Sequence, residues 1–369
     1  AYQTLDRLSA VKKYLFGDEA TPVNGVYLPT NGVGNPNLKW ETTNTFNAGL
    51  DYSFLNGRLL GSFDFYVSNT KDLLMSRSVP YMNGYRSIMD NIGSTRNIGL
   101  EFVLTSVNIR NKNFEWRTTF NLAWNKDEIT KLADNATQDL TNKWFVGESS
   151  RVYYDYNVVG TWQTNEATWD ATKKKYINAD GKEIQKGAVP GSAKLEDVNG
   201  DGVIDSNDKK VIGSKLPSIT SALTNNFAYK NVYASFVLTG LFGQWRQMHD
   251  YNFDRWMPEF NYLSGMNYWT EDNPTNEMTS PVYVPFNKHG FYKRMNYVHI
   301  KNVTLGYRLP KEWANSLGLQ SIKCDLSVNN LYTFSNIKNA LNFDSTQDDE
   351  KGAVIGYPTA RSYMFTLNV

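Results

Sequence analysis

Apolar and polar residues alternate with a period of two along most of the chain, and the helical spacing of three to four is nearly absent. Over residues 42–54, Phe46, Ala48, Leu50, Tyr52 and Phe54 fall on one face, and Asn47, Gly49, Asp51 and Ser53 on the other. Such a segment is a strand with one apolar and one wet face. The turn Leu55, Asn56, Gly57 carries the Asn-Gly pair that marks hairpins, and leads into a second strand over 58–70. There Leu59, Phe63, Phe65 and Val67 oppose Ser62, Asp64, Tyr66 and Ser68. The same alternation predicts strands over 94–106, 114–125, 223–229, 232–242, 297–308, 321–331 and 362–369, making nine in all.

Short and long links between these strands alternate strictly. Residues 55–57, 107–112, 230–231 and 310–320 are short; 71–93, 126–219, 243–296 and 333–361 are long. Nothing in a water-soluble sandwich enforces that asymmetry, whereas a transmembrane β-barrel has short periplasmic turns and long extracellular loops. The strand segments also suit the roughly 9–11 tilted residues that cross a bilayer. The expectation is therefore an all-β fold, the C-terminal portion of a large antiparallel transmembrane β-barrel. Residues 1–41 read as an extracellular loop region and 42–369 as barrel, with a long extracellular loop over 126–219. The alternative is a secreted all-β carbohydrate-binding or scaffold protein made of sandwiches, whose strands alternate because one face meets a core. A barrel has to close, because an open edge in lipid leaves backbone groups unpaired, and bacterial barrels have even strand counts. Nine strands thus point to a partial chain of a longer protein.

Composition narrows the function. The 369 residues carry 38 Lys and Arg against 37 Asp and Glu, with 14% aromatics and a mean hydropathy of −0.51. The longest apolar stretch, 234–242, is interrupted by Ser235, Thr239 and Gly240 and is too short for a membrane helix. A net charge of +1 gives nucleic acid no electrostatic footprint. Cys324 stands alone and His249, His289 and His299 are scattered, so no disulfide framework, zinc site or Cys/His nucleophile assembles. Asp51, Asp64, Glu101 and Asp325 read as the ordinary lining of a wet lumen, and the expectation is that the protein is not an enzyme.

Several segments resemble one family. The run Asn35-Pro36-Asn37-Leu38-Lys39-Trp40-Glu41-Thr42-Thr43 is similar to the signature that precedes a barrel strand in SusC/RagA-type TonB-dependent outer-membrane transporters of Bacteroidetes. Residues 116–132 (WRTTFNLAWNKDEITKL), 301–310 (KNVTLGYRLP), 329–334 (NNLYTF) and 357–369 (YPTARSYMFTLNV) resemble later strands of that family in the same order. The resemblance implies a bacterial outer-membrane location and a 22-stranded barrel with an N-terminal plug, which is not in this chain. It also implies a TonB-contacting segment and a SusD-like surface lipoprotein lid, with dimers of such pairs. The expected cargo is an oligosaccharide, with peptide or another nutrient as the alternative. Val369 departs from the aromatic residue with which the family ends, which suggests that one or two terminal residues are missing. An outer-membrane enzyme or adhesin with a sealed barrel is a further rival.

Two sets of residues carry candidate chemistry. Asp197, Asn199, Asp201, Val203, Asp205 and Asp208 place oxygen donors at positions 1, 3, 5, 9 and 12 and a backbone carbonyl at 7, with Gly202 at 6, which is the EF-hand order. A structural Ca2+, with Mg2+ as the other hard cation, would brace a long loop expected to have little core of its own; no organic cofactor is expected. The long links also hold many tryptophans, whose flat rings stack on sugars. Trp162, Trp245, Arg246, Asp254, Arg255, Trp256 and Tyr268 are the candidate substrate contacts, weighed against packing of loop on loop.

Overall fold

The computed structural model describes residues 21–23, 26–28, 35, 37–78, 87–248, 265–281, 289–337 and 360–369. Nine long strands form the framework: β1 Thr42–Phe54, β2 Leu59–Ser78, β3 Ser87–Arg110, β4 Phe114–Lys131, β5 Ile219–Tyr229, β6 Val232–Gln247, β7 Tyr292–Arg308, β8 Lys323–Ser335 and β9 Ser362–Asn368. Their hydrogen-bonded order is the order of the chain, so each strand pairs with its sequence neighbours without a crossover. All nine expected strands are present.

Strand ends at the short links lie close to their expected positions. Ends at the long links mostly run farther out, as at Ser78 against 70, Ser87 against 94 and Lys131 against 125. Residues 71–78 and 87–93, expected in a long link, thereby belong to β2 and β3. The reason is physical: apolar contrast marks a strand only where one face meets a greasy medium, whereas the backbone ladder continues wherever a partner strand continues. Lys71, Asp72, Ser76 and Arg77 carry no period-two signal, yet they lie in β2.

Register separates the two faces. Directly opposed residues share a face, so Phe46↔Val67, Ala48↔Phe65 and Leu50↔Phe63 form an apolar row between β1 and β2, while Asn47↔Tyr66, Gly49↔Asp64 and Asp51↔Ser62 form a polar one. Between β7 and β8 the apolar row is Val303↔Val328 and Leu305↔Leu326, and the polar row Thr304↔Ser327 and Gly306↔Asp325. The apolar rows are open: Phe46 is 63% exposed, Leu326 60% and Phe365 64%. A sandwich would bury that face against a second sheet; its exposure removes the sandwich reading and supplies the apolar band that lipid contact requires.

The chain divides into two compact units, residues 1–105 with 121–151 and residues 106–120 with 152–369. Within the first, the Tyr52 hydroxyl donates across Gly61 to the Val103 carbonyl at 3.1 Å, and Asn125 Nδ2 donates across Gly99 to the Tyr66 hydroxyl at 2.7 Å. Within the second, the Tyr233 hydroxyl donates across Gly306 to Asp325. A Cβ on any of these three glycines would collide with the tyrosine lying over it, so each glycine is where a ring crosses a strand.

The second unit also holds most of the longest link, which folds as a module. Val152–Asp155 pairs with Lys210–Ser214, Val158–Thr161 with Ala193–Leu195, and Trp169–Asp170 with Lys175–Tyr176. Two small cores lie between them, Tyr156 with Leu195 and Ile204, and Trp162 with Tyr176 and Ala188, and Ile184 packs on both. The expectation that this loop lacks a core of its own is corrected: its short hairpins bury enough rings to make one. On the opposite, short-link side, a helix α1, Lys311–Ser316, connects β7 to β8.

Candidate functional site

The acidic turn sits between two strands of the module, Ala193–Leu195 and Lys210–Ser214. Glu196 and Lys210 close its ends with an ion pair of 2.7 Å, and Glu196 also accepts from Asn157 Nδ2 at 2.5 Å. These bonds, that from Lys210 foremost, hold the Glu196 carboxyl below the usual range despite partial burial. Inside the turn, Asp197 accepts from the Gly200 and Gly202 amides at 2.7 and 2.8 Å. Both glycines have positive φ, +75° and +76°, which the tight reversal demands. Asp201 accepts from the Val203 amide at 2.9 Å, and Asn199 Oδ1 from the Asp201 amide at 3.0 Å. Asp205 caps a single 3-10 turn, Ser206–Asp208, by accepting from the Asn207 amide at 2.7 Å. Asp208 is wholly buried and accepts from the Val198 and Asp205 amides, both at 2.8 Å.

Five acidic or amide side chains and the Val203 carbonyl thus belong to one turn. Among the described residues none of its four aspartates has a lysine or arginine partner, and no three His, Cys, Asp or Glu side chains converge as a ligand set. The amide bonds use only part of each carboxylate's capacity, since two oxygens offer about four acceptor sites.

The tryptophans expected to meet a substrate have different surroundings. Trp162 is 3% exposed, stacks on Tyr176 at 4.2 Å, lies under Lys194 Nζ at 4.4 Å and donates to Gln185 at 3.2 Å. It offers no open ring face to a sugar and serves the module's core. Trp245, near the end of β6, lies over Gly213 and so pins the strand Lys210–Ser214. Arg246 follows it, opposite Lys293. Tyr268 packs beside Met248, Met278, Met295 and Ile337. Asp254, Arg255 and Trp256 lie outside the described residues.

Unforeseen is a seam between the two longest links. Trp269 Nε1 donates to Gln163 Oε1 at 2.7 Å, the Thr161 amide to Asn276 Oδ1 at 3.0 Å, Gln163 Nε2 to the Thr275 carbonyl at 3.1 Å, and the Ser280 amide to the Gly191 carbonyl at 2.8 Å. These partners are separated by about ninety to a hundred and fifteen positions and carry no periodic signal. Nearby, Asp155 accepts from the Gly290 amide at 2.9 Å and the Tyr292 hydroxyl at 2.8 Å. His289, buried beside this group and edge-on to Phe291, has its pKa pushed below the usual imidazole value by burial, against weaker opposing effects of the Gly290 carbonyl and Asp155.

Comparison with known proteins bears on these features. Residues 13–202 match the family described as TonB dependent receptor-like, beta-barrel. The chain is 31% identical over 347 residues to TonB-dependent receptor P26 of Formosa agariphila, covering 88% of this chain and 34% of that protein. It is 30% identical over 290 residues to TonB-dependent receptor SusC of Bacteroides thetaiotaomicron, covering 76% of this chain and 27% of the relative. The chain therefore spans about a third of the length of these relatives. In fold it is similar to a chain of the RagAB peptide transporter, with a TM-score of 0.67 at 22% identity, over 95% of this chain and 38% of the other.

Proposed function

The chain belongs to the TonB-dependent receptor-like β-barrel family, and from that membership in an outer-membrane family of receptors and transporters rather than enzymes we propose that the whole protein imports an oligosaccharide. The observation that carries this reading is the exposed apolar face repeated along a crossover-free sheet of nine strands, backed by a polar face of Asp, Asn, Thr and Ser. Such a wall separates lipid from a wet passage. Import draws on TonB through sequence that this chain does not span, and a SusD-like lipoprotein closes the mouth over the long links. Trp245, Arg246 and Tyr268, with Asp254, Arg255 and Trp256, are the proposed contacts. Peptide cargo is the second reading, favoured by the likeness in fold to a protein described as a peptide transporter. The acidic turn, in the same proposal, holds Ca2+ through Asp197, Asn199, Asp201, Asp205, Asp208 and the Val203 carbonyl.

Calorimetric titration of the full protein with its lid, using panels of oligosaccharides and peptides, tests the reading. Saturable glycan binding weakened at least tenfold by Arg255→Ala with Trp256→Ala supports it. Binding of peptides alone transfers the assignment to the second reading, and binding of neither class sinks both.

A further inference from the structure

The polar row of β7, Gly306, Thr304 and Asn302, continues through His299 and Tyr297, and opposite it on β6 stand Tyr233, Ser235, Val237, Thr239 and Leu241. Carried on at period two, the β6 row would next take in Gly243 and Trp245. It does not, because the ladder slips by one residue between Leu241 and Gln244. The bulge is built on Gly243, whose φ is +85° and whose amide donates to Asn296 Oδ1 at 2.9 Å; a Cβ there would strike Ser218 Oγ. Beyond it Gln244 stands opposite Met295 and Arg246 opposite Lys293, in line with Tyr297 and His299. Trp245 goes to the other face, over Gly213. Bulges recur beside functional sites because they re-aim side chains in this way.

Two features of the redirected residues point to a ligand. Arg246 and Lys293 are directly opposed cations, an arrangement in which like charges repel. Residues 240–247 and 289–296, which include these strand ends, contain Arg246, Lys293 and Arg294 but no Asp or Glu. Glu277, from the link between the strands, is near enough for its charge to act on Lys293, so the pair already draws one carboxylate toward it. Lys293 itself is exposed. The second feature is Gln244, which is only 8% exposed. Its Nε2 donates to the Lys215 carbonyl at 2.9 Å, while its Oε1 meets no donor among the described residues. A buried acceptor in that state is destabilising unless a donor reaches it.

Cationic donors and a lone acceptor in one row match a sugar ring that carries an anionic group beside its hydroxyls. Arg246 and Lys293 would receive the carboxylate or sulfate through charge-assisted bonds, and a neighbouring hydroxyl would donate to Gln244 Oε1. A neutral sugar satisfies only the second half of the set, and an acidic peptide side chain only the first.

We propose that Arg246, Lys293 and Gln244 form a subsite at the long-link end of the lumen for an oligosaccharide bearing carboxylate or sulfate groups. The proposal rests on the oligosaccharide reading and adds to it the charge of the cargo.

Acetylation of Lys293 by a water-soluble active ester tests it in the full protein with its lid, read by mass spectrometry against Lys301, which is exposed on the same strand. The probes are tetragalacturonate and its methyl ester, and a sulfated carrageenan tetrasaccharide and its desulfated form, with calorimetry reporting their overall binding. An acidic probe should slow modification of Lys293 about tenfold, and its neutral counterpart should leave it unchanged. Which acid protects identifies carboxylate or sulfate as the group held. Arg246→Gln should abolish the protection. Gln244→Met, which keeps the volume, should weaken the acidic probe about threefold without removing its advantage over the neutral one; unchanged affinity would overturn the glutamine contact. Equal protection by acidic and neutral probes, or binding by calorimetry without protection of Lys293, overturns the subsite and leaves the import reading standing. Protection by glutamate-rich peptides alone overturns it in favour of the second cargo. If no glycan binds, the oligosaccharide reading falls and the subsite with it.

Discussion

Tyr66 reaches from β2 over Gly99 on β3 to Asn125 on β4, and the two contacts have separable energies. Tyr66→Phe removes one hydrogen bond and should cost about 1 kcal/mol. Gly99→Ala forces the ring off its seat and should cost about 1–3 kcal/mol. The midpoint of heat-induced unfolding on detergent gels orders the two variants; equal losses would show that the ring's position does not depend on the glycine. At the acidic turn, calcium should raise the unfolding midpoint of the wild type, by an amount equivalent to about 2.7 kcal/mol at a hundredfold excess over Kd. Asp201→Ala with Asp205→Ala should abolish that rise, and a wild-type midpoint indifferent to chelator would end the cation assignment. His289 sets a pH dependence. Its folded pKa is depressed by burial, so protons bind the unfolded state more readily, and stability is complete above about pH 6.5 and declines as pH falls through that value. His289→Gln should flatten the midpoint between about pH 8 and pH 5; an unaltered slope would assign the acid sensitivity elsewhere.

Among the elements, strands were legible wherever an apolar row faces a different medium from the row beside it. Phe46 to Phe54 and Val303 to Tyr307 could be read for that reason. The outer ends of β2, β3 and β4 could not, because that contrast fades while the backbone pairing goes on. The acidic turn was legible because its donors are local in sequence, whereas the seam of Gln163, Trp269 and Asn276 is made of partners far apart in the chain. Trp162 could be read as a sugar platform or as a packing ring, because the same ring serves a core equally well, and only burial tells the two apart. The seam makes a prediction at this scale. Asn276→Ala removes the acceptor for the Thr161 amide and should speed hydrogen exchange there at least tenfold, with the β7–β8 ladder unaffected; if the amide stays protected, the two links are held together by other contacts. Trp245 bears on both packing and cargo. Its replacement by Ala should deprotect residues 210–214 through loss of the ring over Gly213, so any change in cargo affinity has to be judged against that loosening.

For the whole molecule the division of faces is the governing feature. A charge placed on the apolar row, as in Leu305→Arg, should cost about 2–4 kcal/mol in folding titrations into vesicles when the position lies near mid-bilayer. Thr304→Lys, one position away on the polar face, should cost far less. Similar losses for both would mean that the two rows meet the same medium. The tyrosines laid over Gly61, Gly99 and Gly306 have a consequence for how such a wall is built. Each bonds a strand to the next but one, so two strands alone cannot complete it, and a third arriving one residue out of step would bring the wrong group to the phenol. Strand-by-strand assembly thereby acquires a proofreading step: an incoming strand is accepted fully only when it satisfies a hydroxyl that has been waiting two strands back.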